Sequence, residues 1–395
     1  MSKMNAIIPI AVQINLDDVG WHDGTDLRYK GQASRSGIPR RHEPEDYLVL
    51  EKIGAALNTR IVCPLCLGDW DKDNYLRGEV GITHDPYGWN RAEEIDMPYA
   101  RACFDALESS EHIEYAIHGL LHGRYREDGS LITEREYFDP IFGDDGKLKE
   151  SRLDYADFKR RLSLFDKIYD SWGFSQKIRT FASPCGVGFA PVDDVKLAAE
   201  HLSSRGVRYW SNSGFTFDGK LAVFSDLVCI KGMGGLYGGR VIPWDAYDFD
   251  PTVLDHIYLE ESHAASSIFC GHLTNFIKLD PSKNYDLVEP WVGYFKRESE
   301  RLGFMLSRDI AFATNQRFYS LYARIEETDN AITVDTKDVT RHAPSYHERV
   351  FYISISNGNT PVSCEGGEID VYEKKNDFIT YRVAHKDDEV TLILK

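Results

Sequence analysis

The sequence is short of positive charge and of long apolar runs. It has 46 lysine and arginine residues against 63 aspartate and glutamate residues, a formal net charge of −17 at pH 7. A field of this sign repels nucleic acids and anionic membrane surfaces, so we expect neither as the main partner. No apolar run approaches the ~18 residues that a membrane-spanning helix needs, so no membrane span is predicted.

Cysteine is also scarce, and its pattern does not indicate a disulfide framework. The seven cysteines are an odd number, spread over 395 residues and mostly placed within apolar runs, which is typical of reduced thiols. Cys63 and Cys66 have CxxC spacing, but no second CxxC exists, so a buried strand is favoured over a redox or zinc site. The N-terminal AIIPIAV leads into alternation rather than a cleavage site, so we expect a cytoplasmic protein.

The first 325 residues alternate between two kinds of segment. Short β-rich apolar runs lie at 11–18, 59–69, 114–119, 178–186, 207–214, 266–275 and 308–315. Segments with helical periodicity lie at 43–57, 97–110, 154–173, 191–206 and 285–303. This alternation predicts an α/β fold with a parallel sheet, and the number of units indicates a distorted, TIM-like (β/α) barrel closed on itself.

From about Glu326 the pattern changes to short alternating strands joined by turns such as NGNTP and EGG. No helical stretch is expected between these strands. We therefore predict two units, a barrel over residues 1–325 and a small all-β module over residues 326–395.

Polar residues recur where the predicted strands end. In parallel β/α folds the carboxyl ends of the strands share one edge, and sites are built there. The residues concerned are Asp17, Asp18, Asp69, His118, Ser183, Ser211, Asn212, His272 and Asn315.

The stretch YAIHGLLHGRY contains the strongest candidate for a metal site. His118 and His122 are spaced i, i+4, which predicts two imidazoles on one side of a single helical turn, able to share a metal. Asp18 would supply a carboxylate ligand. This ligand set suits zinc first, but also cobalt, manganese or nickel.

The motifs NLDDVG, HGLLH, FASPCG and IFCGHLTNF, in this order, resemble those of the polysaccharide deacetylase family, the NodB-like metal-dependent carbohydrate esterases. The resemblance spans roughly residues 7–320 and excludes the β module. It implies a distorted (β/α) barrel and removal of an acyl group from a sugar.

Carried over residue by residue, the resemblance implies Asp17 as general base and His272 as general acid. Asp18, His118 and His122 correspond to the metal ligands, as the spacing also predicts. The backbone N–H of Cys185, after Pro184, would stabilise the oxyanion.

The sequence departs from the family pattern in two places. Ala182 stands where an arginine is expected to orient Asp17, and Arg179 or Arg240 are the candidate substitutes. An insertion over residues 69–94, rich in aromatic and polar side chains, is predicted to form a lid or a substrate loop.

We therefore expect a metal-dependent deacetylase that acts on an acylated amino sugar, as a nucleotide- or lipid-linked precursor of a surface polysaccharide. One alternative is a glycoside hydrolase, which needs two carboxylates facing each other across the substrate. Another is a sugar-binding protein without turnover. Neither the acyl group, the sugar nor the oligomeric state follows from the sequence.

Overall fold

The computed structural model describes residues 6–20, 38–126, 128–184, 187, 189–211, 221–230, 247–259, 267–375 and 377–395. The strands, in chain order, are β1 (Ala6–Ile7), β2 (Ala11–Asp17), β3 (Ile61–Cys66), β4 (Ile113–Gly119), β5 (Gly123–Tyr125), β6 (Leu131–Thr133), β7 (Phe138–Phe142), β8 (Leu148–Leu153), β9 (Thr180–Phe181), β10 (Tyr209–Trp210), β11 (Ala222–Phe224), β12 (Leu227–Cys229), β13 (Ile268–His272), β14 (Met305–Leu306), β15 (Arg324–Glu327), β16 (Ala331–Asp335), β17 (Val350–Ser356), β18 (Pro361–Glu365), β19 (Gly367–Lys374), β20 (Phe378–His385) and β21 (Glu389–Leu394). The α-helices are α1 (Pro44–Leu57), α2 (Arg91–Glu94), α3 (Met97–Glu108), α4 (Tyr155–Trp172), α5 (Val192–Ser204), α6 (Val288–Leu302), α7 (Ile310–Tyr322) and α8 (Lys337–His342).

The fold is mixed α/β around one large curled sheet. Its strand order is β11-β12-β10-β9-β4-β3-β2-β13, and β14 also pairs with β2. All pairs are parallel except β11 with β12. Within the described residues the outer strands β11 and β13 do not pair, so this part of the chain forms a half-barrel. A closed barrel stays a prediction.

The two faces of this sheet enter different cores. On β2, Val12, Ile14 and Leu16 pack in the core that the helices α1, α3, α4, α5 and α6 share. Because side chains alternate along a strand, Asn15 and Asp17 point to the opposite, inner face. Apolar residues of neighbouring strands on that inner face belong to a second core. Strand alternation thus directs the polar ends of β2, β4 and β13 into the concave side of the sheet.

The helices near 43–57, 97–110, 154–173, 191–206 and 285–303 are present within a few residues of the predicted bounds. Asp154, for example, begins α4 by accepting hydrogen bonds from the backbone N–H groups of Ala156 and Asp157 at 3.0 Å, as N-cap residues do. None of the helices in the described ranges is both long and apolar enough to cross a membrane.

The predicted strand at 308–315 is wrong, because this segment forms the start of α7. Asp309 caps the helix by accepting from the N–H of Phe312 at 2.7 Å. The strand of this region is instead Met305–Leu306, which pairs with the start of β2. Asn315 is therefore not at a strand end: its side chain binds the carbonyl of Val350 and the N–H of Glu348.

The strands after Tyr322 form two antiparallel sheets. Their orders are β15-β16-β21-β18 and β1-β17-β20-β19, so the N-terminal strand β1 completes the second sheet. The segment is not all-β, because the short helix α8 follows β16. Phe318 and Tyr319 of α7 join these sheets to inner-face residues of the large sheet in one apolar core. The division of the chain at residue 325 stays a prediction.

Candidate metal site

Five of the predicted site residues meet at the carboxyl edge of the large sheet. Asp17 ends β2 and lies opposite His272, which ends the parallel neighbour β13. Asp18 follows Asp17, while His118 lies near the end of β4 and His122 follows after a short turn. All five are between 1% and 6% exposed, so their charges interact in surroundings largely shielded from water.

Asp18, His118 and His122 have the geometry of a metal ligand set. The Nε2 atoms of His118 and His122 lie 3.2 and 3.1 Å from Oδ1 of Asp18, and the two ring centres are 4.9 Å apart. Two donors bound at about 2.0–2.1 Å to a tetrahedral cation are themselves about 3.3 Å apart. The three donors therefore fit one small divalent cation.

The predicted helical turn between the histidines is wrong. His118 is in extended strand, and His122 has a left-handed backbone with φ 61°. Asp18 is left-handed too, with φ 66°. Non-glycine residues pay about 1 kcal/mol or more for this conformation. A strand end followed by a left-handed turn thus brings the two rings together, as a helical turn would.

Both histidines have a further partner on the ring nitrogen that faces away from Asp18. Nδ1 of His118 lies 2.6 Å from the carbonyl oxygen of Ala182, so Nδ1 carries the hydrogen and Nε2 faces Asp18. Nδ1 of His122 lies 3.6 Å from a carboxylate oxygen of Glu134. A hydrogen bond such as that of His118 fixes the ring orientation of a histidine that binds a metal. At position 182 an arginine side chain was expected to orient Asp17. Ala182 instead orients His118 through its backbone carbonyl.

The charges of the cluster favour a carboxylate beside a protonated imidazole. Burial opposes ionisation of Asp18, but the charges of His122 and His272 and hydrogen bonds from both motif histidines hold the pKa of Asp18 well below its usual range. Burial alone would lower the pKa of His118, but the hydrogen bond to Asp18 and the charge of Asp17 raise it to about 9. A metal would replace the proton on this ring.

Asp17 is held by side chains that the sequence analysis missed. Asn15 Nδ2 donates to one oxygen of Asp17 at 2.6 Å, and the thiol of Cys270 donates to the other at 3.4 Å. Ser211 donates to Asn15 Oδ1 at 2.9 Å, which fixes the amide orientation. Burial and the charge of Asp17 raise the pKa of the Cys270 thiol, so it stays a donor. Asn15 was detectable in principle, since it lies two residues before Asp17 on the same strand face.

Of the two expected arginine substitutes, Arg179 lies within the described residues, and it is not beside Asp17. The guanidinium of Arg179 lies 5.9 Å from the centre of the Tyr209 ring and lines a cavity with Asn315 and Glu348. Arg240 lies outside the described residues. Among the described residues, the amide of Asn15 and the thiol of Cys270 contact Asp17 where an arginine was predicted.

His272 is held at the start of a short helical turn. The side chain of Asn275 accepts from the backbone N–H of His272 at 3.1 Å, which closes this turn. Nε2 of His272 lies 3.5 Å from Oδ2 of Asp18, so the ring borders the metal ligand set. Cys185, the predicted oxyanion residue, lies outside the described residues.

The insertion over 69–94 is a packed segment. Asp71 accepts from the backbone N–H groups of Tyr75 and Leu76 and from Nε1 of Trp89, each at 2.8 Å. Arg91 donates to the carbonyl of Asp69. The role of residues 69–94 as a lid or a substrate loop stays a prediction.

The comparisons with known proteins give a weak structural likeness. No family model matches the chain, and no curated protein matches it in sequence. Solved structures similar to it include a CE4 family pseudoenzyme from Bacillus anthracis and a mutant of that protein with restored enzymatic activity. Each is 12% identical, with a TM-score of 0.35 over 77% of this chain and 66% or 68% of the other.

Proposed function

We propose that this protein is a metal-dependent deacetylase that hydrolyses an N-acetyl group, or a similar acyl group, from an amino sugar. The observation that carries the proposal is the convergence of His118 and His122 on Asp18 Oδ1, with Asp17 beside them as a separate carboxylate. A predicted distorted (β/α) barrel would carry the site.

In this proposal Asp18, His118 and His122 hold a divalent cation, with zinc, cobalt, manganese and nickel as candidates. When bound, such an ion polarises the scissile carbonyl and lowers the pKa of water. The carbonyl of Ala182, hydrogen-bonded to Nδ1 of His118, keeps that ring aimed at the ion, and the carboxylate of Glu134 lies near Nδ1 of His122.

Asp17 and His272 would move the protons. The carboxylate of Asp17, fixed by Asn15, accepts the proton of the attacking water. The ring of His272, which lies beside Asp18, donates a proton to the nitrogen of the leaving amine as the amide bond breaks. The acyl carbon gains the oxygen of water, so the products are a carboxylate and a free amino sugar.

The arrangement of the carboxylates disfavours a glycoside hydrolase. Such an enzyme needs two carboxyl groups on opposite sides of the sugar, at ~5–9.5 Å. Asp17 and Asp18 are adjacent on one strand end, and Asp18 contacts three imidazoles. A sugar-binding protein without turnover is the alternative that the experiment below separates.

The test combines metal analysis with acetate release from a panel of N-acetylated amino sugars. We expect about one divalent cation per chain and loss of turnover in chelator. His118→Ala and His122→Asn should lose the metal, while His256→Ala, at an exposed position, should keep both metal and turnover. Asp17→Asn should keep the metal and lose about 10²-fold or more in kcat.

Absence of bound metal, or full activity in chelator, would overturn the proposal. A wild-type protein that binds metal and sugar but releases no acetate across the panel would favour the binding-only alternative.

A further inference from the structure

One buried carboxylate holds the turn between the two candidate histidine ligands. Glu136, fully buried, accepts from three consecutive backbone N–H groups. One oxygen accepts from Leu120 at 2.7 Å, and the other accepts from Leu121 at 3.2 Å and from His122 at 2.8 Å. Without Glu136 these three donors would be buried with no acceptor in the turn itself, at a cost of about 1–3 kcal/mol each.

The carbonyl groups of the same turn are satisfied by neighbouring backbone. Those of Gly119 and Leu120 accept from the N–H groups of Leu67 and Gly68, and that of His122 accepts from Glu134. Glu136 therefore completes the hydrogen bonding of a turn whose backbone N–H groups lose their strand partners. This pairing accounts for the left-handed backbone of His122.

Gly119 leaves the space that the carboxylate occupies. A Cβ atom built on Gly119 would lie 2.4 Å from Oε2 of Glu136, much closer than two such atoms can approach. Any other residue at position 119 would displace the carboxylate from the turn.

Arg161, 1% exposed, links this turn to the rest of the molecule. Its guanidinium lies 3.8 Å from Glu136 and donates to the carbonyl oxygens of Gly123 and Gly81 at 3.4 and 2.8 Å. Asp157, on the same helix α4, accepts from Arg161 at 2.7 Å. The negative charge of Glu136 is thus balanced by a cation that is itself fixed on three sides.

We infer that Glu136 is a positioning residue for the metal site, which fixes the turn so that His122 faces Asp18 before any metal binds. The inference rests on the proposed metal site, but not on the identity of the reaction.

The test is a titration of the metal-free protein with Zn²⁺, and with Co²⁺ read from its visible absorption. We expect Glu136→Gln to weaken metal binding by about 10- to 100-fold, because an amide offers one acceptor oxygen and turns N–H donors toward the turn. The backbone amides of residues 120–122 should exchange hydrogen faster in the metal-free variant than in the metal-free wild type. Gly119→Ala, which displaces the carboxylate without removing it, should have the same two effects.

Glu298→Gln is the matched control. Glu298 is also fully buried and accepts from a backbone N–H, that of Leu259 at 2.9 Å, but lies beside Arg297 and Arg301 on α6. The Glu298→Gln variant should have a lower free energy of unfolding than the wild type and an unchanged metal affinity.

The inference would be overturned, and the proposed function would not, if folded Glu136→Gln had the metal affinity and the amide exchange of the wild type. A wild type that binds no Zn²⁺ or Co²⁺ would overturn both the inference and the proposed function. A third outcome is a wild type that binds metal tightly but releases no acetate, together with weaker binding in Glu136→Gln. This outcome would support the inference and overturn only the proposed deacetylase activity.

Discussion

Asp17 and Asp18 are neighbours in sequence but have different surroundings. Asp17 remains in the strand and faces the amide of Asn15 and the thiol of Cys270. Asp18 turns into a left-handed conformation and faces three imidazoles. Because the two carboxylates face different groups, the proposed function gives them different tasks, cation binding for Asp18 and proton transfer for Asp17.

The first prediction concerns Asn15. Asn15→Ala removes the donor at 2.6 Å from Asp17, so the carboxylate loses its orientation while the metal ligands stay in place. We expect kcat to fall about 10- to 100-fold with metal content unchanged, as measured by acetate release and metal analysis. Ser211→Ala, which only frees the amide of Asn15, should have a smaller effect. Unchanged turnover in both variants would show that Asp17 needs no such support.

The second prediction is a pH dependence of the metal-free protein. The pKa of His118 is raised from 6.5 to about 9 in the folded protein, so its protonated form stabilises the fold fully below pH 6.5. That contribution is lost as the pH rises toward 9. Urea unfolding in chelator should therefore give a free energy of unfolding that falls across this range. His118→Asn should flatten the fall.

Metal binding should show the opposite trend, because the cation displaces the proton of His118. Apparent affinity should rise by up to about tenfold per pH unit between pH 6 and 8, as measured by competition with a chelator of known affinity. An affinity independent of pH would mean that His118 is not a ligand.

At the scale of secondary-structure elements, the sequence predicts most of the large sheet but not how its edge is built. Alternation along AVQINLDD predicts both the strand and the face of Asp17, because a strand has a period of two. The turn after His118 was misread as helical, since it depends on Glu136, which no local pattern connects to it. The strand predicted at 308–315 is wrong because its β-rich composition is outweighed by the cap at Asp309 and by the packing of Ile310, Phe318 and Tyr319 in the second core.

Site residues are predictable where a motif marks them, and Asn15 follows from strand alternation, but the groups that support the two histidines are not predictable. His118, His122 and Asp18 follow from spacing and strand ends. The carbonyl of Ala182 and the carboxylate of Glu134 contact the histidine rings from distant segments, and a backbone carbonyl leaves no trace in side-chain identity. The roles given to these residues remain predictions until the metal is measured.

The third prediction concerns the contact between β4 and α7. Glu114 on β4 accepts from the N–H of Ile310 at 3.4 Å, and burial raises its pKa from 4.5 to about 7 in spite of Arg60. Since the folded pKa is raised, the contribution of Glu114 to stability is complete below pH 4.5 and is lost as the pH rises through 7. Glu114→Gln should thus be more stable than the wild type at pH 8 and lose this advantage at pH 5, by urea unfolding. An equal difference at both pH values would contradict this.

At the scale of the whole molecule, the C-terminal sheets and the large sheet share one apolar core. Phe318 of α7 belongs to the same apolar core as Phe351 and Ile353 of β17 and Val62 and Ala116 of the large sheet. The strand β1, at the other end of the chain, pairs with β17. The concave side of the sheet is therefore filled at one end by α7 and the C-terminal strands, and bears the candidate site at the other.

The fourth prediction follows from this shared core. Deleting residues 324–395 exposes the apolar side of α7 and leaves β1 without its partner, so the fragment should fail to fold into a metal-binding form. Circular dichroism, size-exclusion chromatography and Co²⁺ absorption would measure this. In the full chain, we expect a single unfolding transition by tryptophan fluorescence and by loss of bound Co²⁺. A monomeric fragment with native metal affinity would contradict the prediction.

The left-handed backbone at Asp18 and His122 also constrains how this site can decay during evolution. Apart from aspartate and histidine themselves, asparagine and glycine adopt that conformation most readily, so they can replace either ligand with little damage to the fold. Other replacements remove the ligand and strain the chain at once. A descendant that had lost the ligand side chains but kept its architecture would therefore carry asparagine or glycine at these positions, and alanine variants overstate what the side chains alone contribute.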